Sequence, residues 1–193
     1  MDNNDYVKKQ TLYLAIVAAL IIGFLGGVVF SVYRAPLDSS QPQAPQQKDA
    51  GAAIASLEKA TRDKPGDGQA WVELGHAYFD TGQAKQAIAA YNKALELLPG
   101  NLNVMTDLGV MYHQDTQHQK AIDIFDQVLK TDPKHEQARF NKGVVLLTGL
   151  NDRKSAIAEW KTLVQYHPLA AAPTGKKVAE LIEEMEKAEP PKK

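Results

Sequence analysis

The chain has 193 residues, with 22 Lys and Arg against 23 Asp and Glu, a net charge of −1 and no cysteine. So even a balance offers no basic face for nucleic acid. Without a thiol there is no cysteine nucleophile, c-type haem attachment motif, cysteine zinc site or disulfide.

In chain order, residues 1–10 are mostly polar and carry Lys8 and Lys9 near their end. No charge follows until Arg34, and the 19-residue run Leu12–Phe30 holds only apolar residues, Tyr13 and glycines. That length crosses about 30 Å of hydrocarbon as a helix. Twelve of its residues are Leu, Ile, Val or Phe, a transfer gain on the order of 4–7 kcal/mol. A cleaved signal peptide fits less well: the run exceeds the usual ~7–15 residues, and Val32, Tyr33, Arg34 and Pro36 supply no small-residue cleavage site. The reading is one transmembrane helix over residues 11–33. Lys8, Lys9 and the amino group outweigh Arg34, which places residues 1–10 in the cytoplasm and the rest on the exported side. In a bacterium this is an inner-membrane, single-pass protein with a periplasmic domain.

Within that helix Ala15, Ala19, Gly23, Gly27 and Ser31 recur every four residues. Such a stripe lets a partner helix or a second copy approach closely, while lipid covers the other faces. The general abundance of Gly and Ala in membrane helices produces the same pattern without a partner. Residues 34–49, rich in Pro, Gln and Ser, read as a flexible linker.

Beyond the linker the sequence repeats. Pro65, Pro99, Pro133 and Pro168 are spaced 34, 34 and 35 residues apart, and Ala53, Ala87, Ala121 and Ala156 each precede one of them by 12. Gly75, Gly109 and Gly143 keep the same step. A period of this length is one supersecondary unit stacked on copies of itself. The first unit reads Trp71, Leu74, Gly75, Tyr78, Ala87, Tyr91, Ala94, Pro99; the second keeps Leu108, Gly109, Tyr112, Ala121, Phe125, Val128, Pro133. The third keeps Gly143, Ala156, Trp160, Leu163 and Pro168, but carries Arg139 and Lys142 at the Trp-like and Leu-like positions, so its first helix is expected to start loosely packed.

This pattern resembles the tetratricopeptide repeat (TPR), a pair of antiparallel helices. The resemblance implies an all-α solenoid: a half-repeat or capping helix over 50–67, TPR units over 68–101, 102–135 and 136–170, and a C-terminal capping helix and tail over 171–193. Helices are expected over about 52–64, 68–81, 84–97, 102–115, 118–131, 136–148 and 153–166, each second helix ending before its proline. Val178, Leu181, Ile182 and Met185 at i, i+3, i+4, i+7 predict a last helix from about 174 to 188. Tyr78, Tyr91, Tyr112, Phe125 and Trp160 are expected to fill the layers between hairpins.

The resemblance also implies a concave groove lined by the first helix of each hairpin. In this chain its positions are Gln69, Val72, His76 and Phe79; then Asn103, Thr106, Val110 and His113; then Gln137, Phe140, Val144 and Leu147. Asp80, Gln114 and Thr148 complete the positions that the resemblance points into it. An apolar centre edged by amides suits an amphipathic helix or extended apolar peptide. The alternative is that the chain's own C-terminal helix covers Phe140, Val144 and Leu147. TPR domains that grip chaperone C-terminal carboxylates use Lys, Asn and Arg at set positions; here Val72, His76, Asp107, Gln137 and Asn141 stand there, so that clamp is absent.

His113 and His118 straddle an inter-helix turn with no third ligand in view, so no metal is expected. No phosphate loop, dinucleotide glycine pattern or HExxH appears, so no catalytic residue, cofactor or enzyme activity is expected. The plan as a whole is similar to the periplasmic TPR domains of bacterial cytochrome c maturation proteins, and also to single-pass TPR accessory proteins of the secretory translocon. Either resemblance implies an adaptor binding a polypeptide client or a membrane complex on the exported side. The alternative is a structural subunit held in a membrane complex through its transmembrane helix.

Overall fold

The computed structural model describes residues 45–187, with side chains from residue 50 onward. The expected N-terminal tail, the span over 11–33 with Ala15, Ala19, Gly23, Gly27 and Ser31, most of the linker and residues 188–193 lie outside the described residues. Among the described residues, no helix is long and apolar enough to cross a membrane.

Eight helices follow in order among the described residues: α1 Pro45–Asp63, α2 Gly68–Asp80, α3 Ala84–Leu97, α4 Leu102–Gln114, α5 His118–Thr131, α6 Glu136–Thr148, α7 Arg153–Tyr166 and α8 Val178–Lys187. Helices α2/α3, α4/α5 and α6/α7 pair as hairpins, and each second helix also packs on the first helix of the next unit. First helices touch as well, α2 on α4 and α4 on α6. The result is an all-α solenoid of tetratricopeptide hairpins. Helix α1 reaches back to Pro45, into the stretch expected to be linker. Proline fits there because a first-turn N–H has no intrahelical partner to lose.

One contact repeats in every hairpin. A Cβ built on Gly109 would stand 2.6 Å from the ring of Phe125, and Gly75 and Gly143 are overlain in the same way by Tyr91 and Trp160. The ring therefore lies on bare backbone, and it is buried at each site, as are Ala87, Ala121 and Ala156. This corrects the expectation that all five aromatics lie between hairpins: Tyr91, Phe125 and Trp160 sit inside their own. Tyr78 and Tyr112 reach the preceding unit: Tyr112 accepts from Asn92 at 3.5 Å, and Tyr78 donates its hydroxyl to Glu58 of α1 at 2.6 Å. Burial and then the Glu58 carboxylate push its pKa up to about 12.

Turns and caps close the units. Gly82, Thr116 and Asn151 occupy the equivalent turn position at φ 68°, 62° and 54°. Asp67, Asn101, His135 and Asp152 cap α2, α4, α6 and α7 by accepting hydrogen bonds from first-turn N–H groups.

The third unit does not start loosely. Trp71 Nε1 donates to the carbonyl of Pro65 at 3.0 Å, and one guanidinium nitrogen of Arg139 makes the same bond to Pro133 at 2.8 Å. Another nitrogen of Arg139 pairs with Glu159 at 2.7 Å, and Lys142 bridges Glu159 and Asp126 at 2.6 Å each. Burial pulls the Lys142 ammonium down, but its bonds to Asp126 and Glu159 outweigh that and hold its pKa above the usual lysine value. Charge pairing replaces the aromatic and aliphatic contacts of the first unit.

The last helix begins later than expected. Residues 169–177 form a small loop instead, in which Ala171 pairs with Lys177 and Gly175 turns at φ 82°. Pro173 and Gly175 both oppose helix there. Helix α8 then packs on α7 through Val178 and Ile182.

Two substitutions test these backbone contacts with opposite signs. Gly109→Ala gains about 1 kcal/mol of helix propensity but overpacks a buried ring, at about 1–3 kcal/mol; a lower denaturation midpoint is expected. Thr116→Gly removes a β-branched residue from left-handed geometry, costing about 1–2 kcal/mol, against an entropic penalty of about 0.5–1 kcal/mol. Its midpoint should rise in the same denaturant titration.

Candidate functional site

The first helices α2, α4 and α6 stand side by side, and a cleft of about 770 Å³ opens on them. Five expected residues line it: Phe79 from α2, Thr106 and Val110 from α4, Gln137 and Phe140 from α6. Phe140 stacks on Trp160 with ring centroids 5.9 Å apart, and Trp160 Nε1 donates to the Phe140 carbonyl at 3.0 Å. The glycine-seated tryptophan thus fixes the apolar wall of the cleft from behind.

Several expected residues lie elsewhere. Val72 is buried in the core rather than on the groove, because this face of α2 meets its neighbours in the core cluster. Thr106 is equally buried, at the cleft floor, and tolerates burial because its hydroxyl donates to the Leu102 carbonyl at 2.8 Å. Gln69 and Asn103 are exposed and stand apart from the cleft. Val144 and Leu147 are half-buried against the cluster of Trp160, Leu163, Ala170, Val178 and Ile182. Helix α8 supplies part of that cluster but packs along α7, not α6. The cleft's end wall is Ala171 and Pro173 of the loop before α8.

His113 turns to the neighbouring hairpin. Its Nδ1 lies 2.9 Å from Nδ1 of His118, and its Nε2 lies 3.3 Å from Thr148 Oγ1. Thr148 donates its own hydroxyl to the Val144 carbonyl, so it accepts from His113 Nε2–H. His113 Nδ1 is then the acceptor and His118 Nδ1–H the donor. This chain ties the turn of the second unit to the end of α6. Burial, and then the nearby His118, lower the pKa of His113.

Sequence reasoning passed over Asp107 and Asn141 as site residues, noting only that they do not form a carboxylate clamp. Both line the cleft, one repeat apart. Asp107 pairs with His76 Nε2 at 3.3 Å, across from α4 to α2. Burial raises its pKa and His76 opposes that rise. Their position directly after the groove-lining fifth residue of each unit, Thr106 and Phe140, was the available signal. Among the described residues, no group of three or more His, Asp or Glu is placed to hold a metal.

A family model described as the cytochrome c-type biogenesis protein H TPR domain matches residues 32–171. No curated protein matches the chain. Among solved structures, MamA is 21% identical with a TM-score of 0.59, covering 63% of this chain and 71% of that one. A tetratricopeptide repeat protein from Parabacteroides merdae is 19% identical with a TM-score of 0.60, over 73% of this chain and 55% of that one. The first TPR of Spaghetti, bound to the HSP90 peptide SRMEEVD, is 16% identical with a TM-score of 0.55, over 63% and 94%. These likenesses establish the fold.

The histidine chain makes a pH prediction. A pKa held below the unfolded value of 6.5 contributes stability that is complete above that pH and is lost as pH falls through the folded value. Thermal unfolding should show a larger drop from pH 7.5 to pH 5.5 for the natural chain than for His113→Gln. Equal drops would remove His113 from the account.

Proposed function

This chain belongs to the family of the cytochrome c-type biogenesis protein H TPR domain, and from that premise we propose that it is a membrane-tethered adaptor that holds a polypeptide client for cytochrome c maturation. The fold itself is a protein-interaction scaffold. The observation that carries the proposal is the cleft on α2, α4 and α6, walled by Phe79, Val110 and Phe140 and edged by Gln137 and Asn141. Apolar walls bury side chains while edge amides pair with peptide backbone.

The tether is the uncharged run Leu12–Phe30, and the preceding Lys8 and Lys9 favour an exported repeat domain. An exported, membrane-fixed groove suits a chain that must be kept extended until its cofactor is attached. The glycine stripe at Gly23 and Gly27 gives the tether a surface for a neighbouring membrane helix, which would place the groove beside the rest of an assembly line.

The test uses the full chain in detergent micelles and a haem-free c-type cytochrome polypeptide, titrated by calorimetry. Binding is expected, weakened at least about tenfold by Val110→Asp in protein whose helical circular dichroism is unchanged. Undiminished binding by the variant would take the client out of the cleft.

A further inference from the structure

The cleft is not neutral. Asp107 lines it together with the apolar Phe79, Val110 and Phe140 and with a polar edge that includes Gln137 and Asn141. Its ionic partner is His76, at 3.3 Å, an imidazole that carries charge only when protonated. The cation that lines the same cleft, Lys134, places its ammonium over the Tyr166 ring, 5.6 Å from the centroid. His135 spends Nδ1 accepting the N–H of Ala138. Asp132 and Glu136 also line the cleft and add to its negative field.

A buried polar group also lies within the electrostatic reach of Asp107. Tyr91, whose ring stands edge-on to His76 at 5.7 Å, keeps a buried hydroxyl with no hydrogen-bond partner among the described residues. Asp107 and Asp80 both bear on that hydroxyl electrostatically. A carboxylate half withdrawn from water gains from a permanent cation more than an exposed one does, because screening is weaker there. Phe79, Val110 and Phe140 line the same cleft, so a segment that brings a cation there gains by carrying apolar side chains beside it.

We propose that the client segment held by this cleft is apolar and carries one lysine or arginine, whose cation docks on Asp107 in place of His76. This rests on the client-binding reading and names the chemistry it selects. A charge-assisted hydrogen bond supplies register, and the same carboxylate repels acidic segments.

The experiment uses the full chain in detergent micelles and four labelled peptides read by fluorescence anisotropy. Three are one amphipathic helical sequence with lysine, norleucine or glutamate at its centre, and the fourth is SRMEEVD. The lysine peptide should bind about tenfold tighter than the norleucine peptide, with the glutamate peptide and SRMEEVD weakest. Asp107→Asn should bring the lysine peptide to the norleucine level, and Asn141→Asp should strengthen lysine binding. Equal affinity for lysine and norleucine, or a preference that survives Asp107→Asn, overturns the assignment while leaving the groove reading intact. If none of the helical peptides binds, the groove reading fails and the cation site with it.

Discussion

Everything in this domain depends on an aromatic ring lying on bare backbone. Gly75, Gly109 and Gly143 have no side chain where Tyr91, Phe125 and Trp160 need to be. The two helices of a hairpin can therefore close around one large buried ring, with a fully buried alanine on the facing helix completing the approach. Packing this dense fixes the angle between helices, since neither can shift without a void or a clash. The unit then stacks, and the stacked first helices stand side by side as a continuous wall.

That constraint explains why the fold was legible. Prolines and glycines at fixed intervals are positions where only one residue type works, so the helix boundaries of the three hairpins follow from them to within a residue or so. Where the rule is relaxed, sequence reading failed. Arg139 and Lys142 break the hydrophobic pattern, yet Glu159 and Asp126, which rescue them, lie on other helices and have no periodic signature. Residues 169–177 fold into a small loop because Pro173 and Gly175 override a helical spacing that begins only at Val178.

The site was less legible than the fold, for a related reason. Family positions predict which face of a helix looks inward but not how deeply each residue sinks. Val72 and Thr106 fall in the core, while Phe140 at the same repeat position stays half-buried on the cleft. Asp107 was visible only as a missing clamp residue. Its meaning needs the third dimension, which sets it beside His76 and in one cleft with Phe79, Val110 and Phe140. Identical backbone units thus carry a groove whose chemistry changes from unit to unit, which is how one architecture serves different clients.

The central claim is that a client chain lies against the wall of first helices and leaves the second helices free. Photocrosslinking in intact membranes tests it directly, with benzoylphenylalanine placed at Gln137 on α6 or at Gln127 on α5, both exposed. A haem-free cytochrome chain should attach at position 137 and not at 127. Attachment at 127 alone, or equally at both, would contradict the account.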